Sequence, residues 1–390
     1  MNRTVTTNLL IVIAVACLGC GKKHDGKTIG RWQADLNSED DAVRRAAIET
    51  FGRIGAEAVP SLVETLKDTD PVARRNAAKS LEAIGPSAVN AVPALLNAVK
   101  DDDFDVRRNA VAALGAVGVS AVPALIAGMD DADTNVRKRA ATALGAVGVE
   151  AREAIPALAL ALKDADEAVR KSAAVAIGAI GAVPVETLPA LSDALKDESR
   201  FVRKAVVGVL ESMGSIAAPA LGDALRDENR DIRQAAADAL ARMGTQTVPS
   251  LTMALDDPNE DARRNAVKVL GGMGKDAKEA VPAIAKALQD DSDAVREAAV
   301  TALASLGANA VVAVPKLVGL LGDPDPKVRK RAISALGKIG PVGAPALCDA
   351  LRIPSDAVRP PVMALLKTMG EAAVPALIDA LTDSDTVARQ

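Results

Sequence analysis

Residues 123–148 read PALIAGMDDADTNVRKRAATALGAVG, and this stretch states a grammar that the rest of the chain repeats. The residues two and six after the proline, Leu125 and Met129, share one side of a helix, because side chains four apart lie one above the other. Asp131, eight after the proline, marks the end of that helix. Asp133 stands four before Arg137, where a short polar side chain accepts the unpaired first-turn amides of a second helix. Ala140, Leu144 and Val147 then supply that helix with an apolar face. Gly148 stops it, since glycine adopts left-handed backbone angles without a steric penalty.

The same signs recur along the chain. Arginine stands at positions 44, 74, 107, 137, 170, 203, 233, 263, 296, 329, 359 and 389, so each interval takes one of two lengths, thirty or thirty-three. Proline stands fourteen positions before each arginine from Arg74 onward, and the step from an arginine to the next proline is sixteen or nineteen. All length variation therefore falls in one connection, in steps of three. The apolar pairs Leu62 and Leu66, Leu158 and Leu162, and Leu377 and Leu381 mark first helices. Asp70, Asp103, Ser199, Asn229 and Asp325 occupy cap positions. Pro71 and Pro326 follow two of these caps at the one helical position where proline costs nothing. Glycine follows the arginine by eleven in every complete unit, from Gly55 to Gly370. Self-similarity at this period is the signature of a stacked helix-hairpin array.

Composition agrees. Apolar residues make up 49% of the chain but aromatics only 1%, so Ala, Val and Leu must fill the core, as in closely packed regular helices. The formal net charge of −4 offers no global basic field for nucleic acid.

With its proline, its aspartate eight later and Val-Arg at thirteen and fourteen, the unit resembles HEAT repeats, in particular the short bacterial subtype also seen in phycobilisome lyase-like proteins. The resemblance covers residues 29–390. It implies an all-α fold, an α-α superhelix (HEAT-like solenoid) of about eleven full helix hairpins plus a C-terminal half repeat. It also implies an aspartate–arginine ladder along the solenoid, here Asp68 and Arg74, Asp101 and Arg107, Asp131 and Arg137, and Asp164 and Arg170. Trp32 falls on an apolar position of the first hairpin and reads as a terminal packing residue. Repeat eleven departs from the pattern: Ile353-Pro354 replaces the aspartate, and Pro360-Pro361 follow Arg359.

The N-terminus reads as an address. Leu9 to Leu18 is too short an apolar run to span a bilayer, which needs roughly 20 residues, and a secretory signal is the better reading. It resembles a bacterial lipoprotein signal, with Gly19 before a lipid-bearing Cys20 and a polar stretch after it. Cys17 stands where that family prefers Leu, and cleavage before Cys17 is the alternative. The expected organisation is a signal at 1–19, a polar linker at 20–28 and the solenoid at 29–390. The protein is then exported and lipid-anchored to a bacterial membrane, facing the periplasm or the cell surface.

Chemistry is scarce. The acidic turns Asp101-Asp102-Asp103 and Asp323-Pro324-Asp325 lack the distal bidentate glutamate of a calcium loop, and N-capping accounts for them. The one histidine, His24, lies in the linker, so the His-Glu iron pairs of deoxyhypusine hydroxylases have no counterpart. A single tryptophan and an acidic balance fit poorly with DNA-alkylation-repeat glycosylases. Cys348 takes an apolar position with no histidine to activate it. No catalytic residue, cofactor or metal site is expected, and no nucleic-acid partner.

One surface stands apart. The second helices of repeats three to five read VAALGAVG, ATALGAVG and AVAIGAIG, uncharged after their first turn. The second helices of HEAT arrays line the concave side. Ala113, Ala116, Ala143, Ala146, Ala176 and Ala179 therefore either line a shallow apolar groove for a partner over residues 107–181 or serve tight packing. The function expected is a non-enzymatic, membrane-tethered scaffold for protein partners in the bacterial envelope. The alternatives are a phycobilin lyase-like enzyme or accessory, and a self-associating structural envelope protein.

Overall fold

The computed structural model describes residues 23–382. Among them lie 23 α-helices joined by turns and 3-10 segments, and no strand beyond an isolated bridge between His24 and Lys27. The chain forms two compact units, one ending at Ser212 and the other beginning at Met213.

In the first unit the hairpins are α1 (Ile29–Asp35) with α2 (Asp41–Ile54), α3 (Val59–Thr65) with α4 (Pro71–Ile84), and α5 (Val92–Ala98) with α6 (Phe104–Val117). They continue with α7 (Val122–Gly128) and α8 (Thr134–Val147), α9 (Ile155–Ala161) and α10 (Glu167–Ile180), and α11 (Leu188–Ala194) and α12 (Arg200–Ser212). The second unit pairs α13 (Ala218–Ala224) with α14 (Arg230–Met243), α15 (Val248–Ala254) with α16 (Glu260–Met273), and α17 (Val281–Lys286) with α18 (Asp293–Leu306). There follow α19 (Val314–Gly319) with α20 (Pro326–Ile339), α21 (Ala344–Ala350) with α22 (Arg359–Met369), and the first helix of a further repeat, α23 (Val374–Thr382). Odd-numbered helices are first helices and even-numbered ones second helices. Within each unit, successive second helices stack on one another, as α6 on α8 and α16 on α18.

The core follows the period. The residue two after each proline, from Leu62 to Leu347, is at most 1% exposed. The residue seven after each arginine, from Phe51 to Leu366, is buried as well. Each such side chain contributes about 1.5–3 kcal/mol through its removal from water. In α23, Leu377 is only half-buried and Leu381 is exposed. Arg389 and the expected C-terminal half repeat beyond residue 382 lie outside the described residues.

Caps and stops hold the hairpins. Asp40, Asp70, Asp103, Asp133, Asp166, Asn229, Asn259 and Asp325 each accept a first-turn amide. Ser199 accepts the amide of Phe201, whereas Ser292 occupies its cap position without a side-chain bond. All eleven stop glycines, Gly55 through Gly370, have positive φ. The apolar stretches Phe104–Gly128, Asp293–Gly322 and Arg359–Leu381 are long enough to cross a membrane by residue count. Gly118, Gly307 and Gly370 break each of them with a left-handed turn.

The three-residue variation is taken up as an extra turn of 3-10 helix, which has three residues per turn. Short connections such as Gly118–Ala121 have four residues, and long ones such as Gly85–Ala91 and Gly148–Ala154 have seven. In the long connection before Leu188, only Val185–Thr187 is 3-10. Repeat eleven is irregular in the structure as in the sequence. Ser355, at the cap position, closes only a turn, and α22 starts at Arg359. Pro360 and Pro361 can be accommodated only in the first helical turn, so the helix loses its usual start.

At the other end, residues 23–28 of the linker fold back on the first hairpin. The Trp32 indole donates to the His24 carbonyl at 2.8 Å, and Lys27 Nζ lies 4.4 Å from the ring centroid. Trp32 is 7% exposed, in the terminal packing place expected. The signal at 1–19, Cys17 and Cys20 lie outside the described residues.

Candidate functional site

The aspartates and arginines that invite a chemical reading are occupied, though with partners other than those expected. Arg74 does not pair with the Asp68 carboxylate; its Nη1 donates to the Asp68 and Thr69 carbonyls at 2.8 and 3.1 Å. Its Nε and Nη2 instead grip both oxygens of Asp101 in the next repeat, at 2.6 and 2.8 Å. Arg137 does the same to Asp164, Arg170 to Asp197 and Arg263 to Asp290, while Arg296 reaches Asp323 through Nε alone at 3.1 Å. The ladder thus joins repeats rather than closing each one. The aspartate also serves its own repeat, since its Oδ1 accepts the amide of the cap residue two later, as Asp164 does from Asp166.

These five pairs fall at the five places where the interval between consecutive arginines is the longer one. At three joints of the shorter interval, Arg44, Arg107 and Arg233 keep their carbonyl bonds but reach no carboxylate of the following repeat among the described residues. The expected pairing of Arg107 with Asp101 is likewise not a carboxylate pair, since Arg107 Nη1 donates to the Asp101 carbonyl at 2.7 Å. Arg107 lies 5.7 Å from the Phe104 ring centroid, and Asp131 is reached by Lys100 at 3.6 Å. The longer connection carries the next aspartate to the arginine; at these three joints, without the added turn, the carboxylate falls short. At Asp164 the Arg137 bond, opposed by burial and helped by the Asp166 amide, holds the carboxyl below the usual range.

The apolar candidates in the first unit divide. Ala113, Ala143 and Ala176 are at most 1% exposed and line no open groove. They pack between neighbouring second helices, which approach closely at glycines: a Cβ on Gly145 would stand 3.0 Å from the Cα of Ala176. Ala116 is half-buried, and Ala146 and Ala179 are exposed. With Thr142 and Val175, also exposed, they leave an uncharged strip on α6, α8 and α10.

The second helices of the other unit hold a feature that the repeat pattern does not announce. A cavity of about 390 Å³ opens over α16, α18 and α20. Arg264, Lys268, Glu297, Thr301 and Arg331 line it, with Gly271 and Gly272 among its apolar wall. Arg264 pairs with Asp261 and Arg331 with Glu297. Partial burial of its ammonium, then Arg264 and Arg230, push Lys268 below the ordinary lysine value, although its side chain as a whole is exposed. A second hollow, of about 580 Å³, lies among 3-10 connections where Lys275 and Lys278 face Asp276 and Glu279, a balanced and solvated set.

Cys348 is 3% exposed, and burial raises its thiol pKa. Among the described residues no three His, Cys, Asp or Glu side chains are grouped to hold a metal.

A family model for HEAT repeats matches residues 31–115, 92–176, 122–211, 155–241, 188–261, 248–321 and 314–390. The chain belongs to the HEAT-repeat family. It is 41% identical over 64 residues to a protein of Pseudanabaena tenuis named "Uncharacterized phycocyanin operon protein Z", a stretch covering 16% of this chain and 32% of that one. Among solved structures it is similar to the karyopherin Kap121p bound to the extreme C-terminus of the protein phosphatase Cdc14p. The TM-score is 0.56 at 13% identity, over 93% of this chain and 48% of that one. Kap95p in a structure describing its binding to RanGDP gives 0.49 at 16% identity, over 93% and 60%. The chain thus spans about half the length of Kap121p, and a third of the curated relative is matched. HEAT repeats in series form an α-solenoid, an architecture suited to protein–protein interaction.

Proposed function

We propose that this chain is a non-enzymatic scaffold that holds protein partners on its second-helix face and is tethered to a bacterial membrane by a lipid on Cys20. The observation that carries the reading is the uncharged strip of Thr142, Ala146, Val175 and Ala179, open to solvent on helices whose Arg137 and Arg170 are committed to the joints between repeats. Exposed apolar surface of this kind marks binding faces. The Kap121p solenoid, described as bound to a C-terminal segment of another protein, supports peptide capture as the mode. Anchoring would keep the solenoid near its membrane, because the folded turn at residues 23–28 shortens the linker.

Substituting the buried Ala113, Ala143 or Ala176 would test packing, not binding. The informative variants are Thr142→Glu, Val175→Glu and Ala179→Glu. Together they should abolish capture of a co-purifying partner with helix content unchanged; undiminished capture would contradict the reading. Palmitate labelling should be lost in Cys20→Ala with release from membranes, and retention of label in that variant would move the anchor to Cys17.

The Pseudanabaena tenuis similarity favours a second reading, a phycobilin lyase-like enzyme or accessory. Its mark would be a chromophore that co-purifies with the chain.

A further inference from the structure

We propose that the cavity over α16, α18 and α20 is the seat for a carboxylate side chain from an acidic, extended segment of a protein partner; the inference rests on the binding function above and specifies its chemistry. Charge is the first argument. Three cations, Arg264, Lys268 and Arg331, line the cavity against one acid, Glu297. Arg331 is joined to Glu297 and Arg264 to Asp261, so both guanidinium groups are held in place. Lys268 has no ion pair among the described residues and is the cation left to meet an incoming charge. Arg230, near enough to lower the Lys268 pKa, extends the positive surface toward α14.

An unused donor is the second argument. Nε of Arg264 is buried without a hydrogen-bond partner, as are the Nε atoms of other arginines such as Arg75 and Arg139, and of these only Arg264 lines the cavity. Buried donors are rarely left unmet, since each forfeits its bond to water. An acceptor entering between Lys268 and Arg264 would satisfy it.

Space is the third. Gly271 is required by packing: a Cβ there would stand 2.7 Å from Ala302. Its neighbour Gly272 is not, since a Cβ there would meet nothing within 4 Å. Gly272 stands in the last turn of α16, where glycine has a lower helix propensity than alanine, and no contact explains this one. The corresponding position carries Arg53, Ala83, Ala116 or Lys338 in other repeats. Its effect is to leave the wall open beside Lys268.

The lining also selects among anions. Glu297 opposes a dianion, while a monoanionic carboxylate needs only the ammonium and the free Nε. Aromatic rings to stack a nucleobase are absent from the lining. Thr301 is turned inward on its own helix, donating to the Glu297 carbonyl at 2.9 Å. The entry lies on the exposed second-helix face, where an extended chain can lie across successive helices.

The test is fluorescence anisotropy on the full chain with a labelled peptide carrying three consecutive glutamates, its glutamine counterpart, and inorganic phosphate as competitor. The glutamate peptide should bind at least about tenfold more tightly than the glutamine peptide, and the difference should shrink as salt rises above about 150 mM. Lys268→Gln should remove the preference, Lys268→Arg should keep it, and Gly272→Val should weaken binding with an unchanged melting temperature. Equal binding of the two peptides, or a preference that survives Lys268→Gln, overturns the proposal. Phosphate that displaces the peptide at concentrations below the peptide's own Kd overturns it too, by making phosphate the ligand. If peptide binding fails while partner capture by the native chain persists, the scaffold reading stands and only this site falls.

Discussion

At the scale of single residues, glycines show how far spacing can be read. The stop glycines are legible because their fixed offset from the arginine places them at helix ends, where positive φ is needed. Gly145 and Gly272 are not, since both sit inside helices and look alike in sequence. Only the neighbouring helix distinguishes them: Gly145 faces the Ala176 backbone, whereas Gly272 faces open space. Opposite outcomes follow. Gly145→Val should destabilise by about 1–3 kcal/mol through overpacking. Gly272→Ala should stabilise by about 0.5–1 kcal/mol through helix propensity. Urea midpoints of the two variants check both signs. The alanines illustrate the same limit. A second helix is flanked by second helices on both sides, so it buries more than one stripe. The helical period therefore could not tell buried Ala143 from exposed Ala146.

At the scale of elements, the hairpins were legible almost whole, because caps, prolines and stops each mark a boundary chemically. The joints were not. The ladder residues could be named from the sequence, but their partners depend on where the next hairpin lands, which the connecting turn decides. Arg137→Ala breaks a largely buried two-point pair and should cost about 1–3 kcal/mol, between the values for exposed and fully buried pairs. Arg107→Ala, which loses only two carbonyl bonds and a ring contact, should cost less. Deleting residues 152–154 shortens the connection to its short form and should erase the excess cost of Arg137→Ala while circular dichroism stays helical. An unchanged excess in the deletion variant would contradict the role given to that turn. The pairs also set an acid limb. The Asp164 carboxyl titrates lower in the folded chain than the free value of about 3.9. Its stabilisation is thus complete above that value and is lost as pH falls through the lower folded value. Arg137→Ala should flatten the decline in stability below about pH 4.

At the scale of the whole molecule, what was legible is the family and the way the chain is built, and the proposed function rests on what the residues are committed to. Asp164, Arg137 and their counterparts cap helices and bind repeats together, which supports the second-helix face as the proposed working surface. Its composition was visible in repeats three to five. The cationic cavity was hidden because Arg264 and Lys268 belong to a different repeat from Glu297, and Arg331 to a third. They meet only through stacking of α16, α18 and α20. The most direct measurement is site-specific photo-crosslinking in intact cells. A photoreactive residue at Val175, on the second-helix face, is compared with one at Leu160, which is 76% exposed on the first helix α9. The account predicts a discrete protein adduct from position 175 and none from position 160. Adducts from neither position, or from 160 alone, would contradict it.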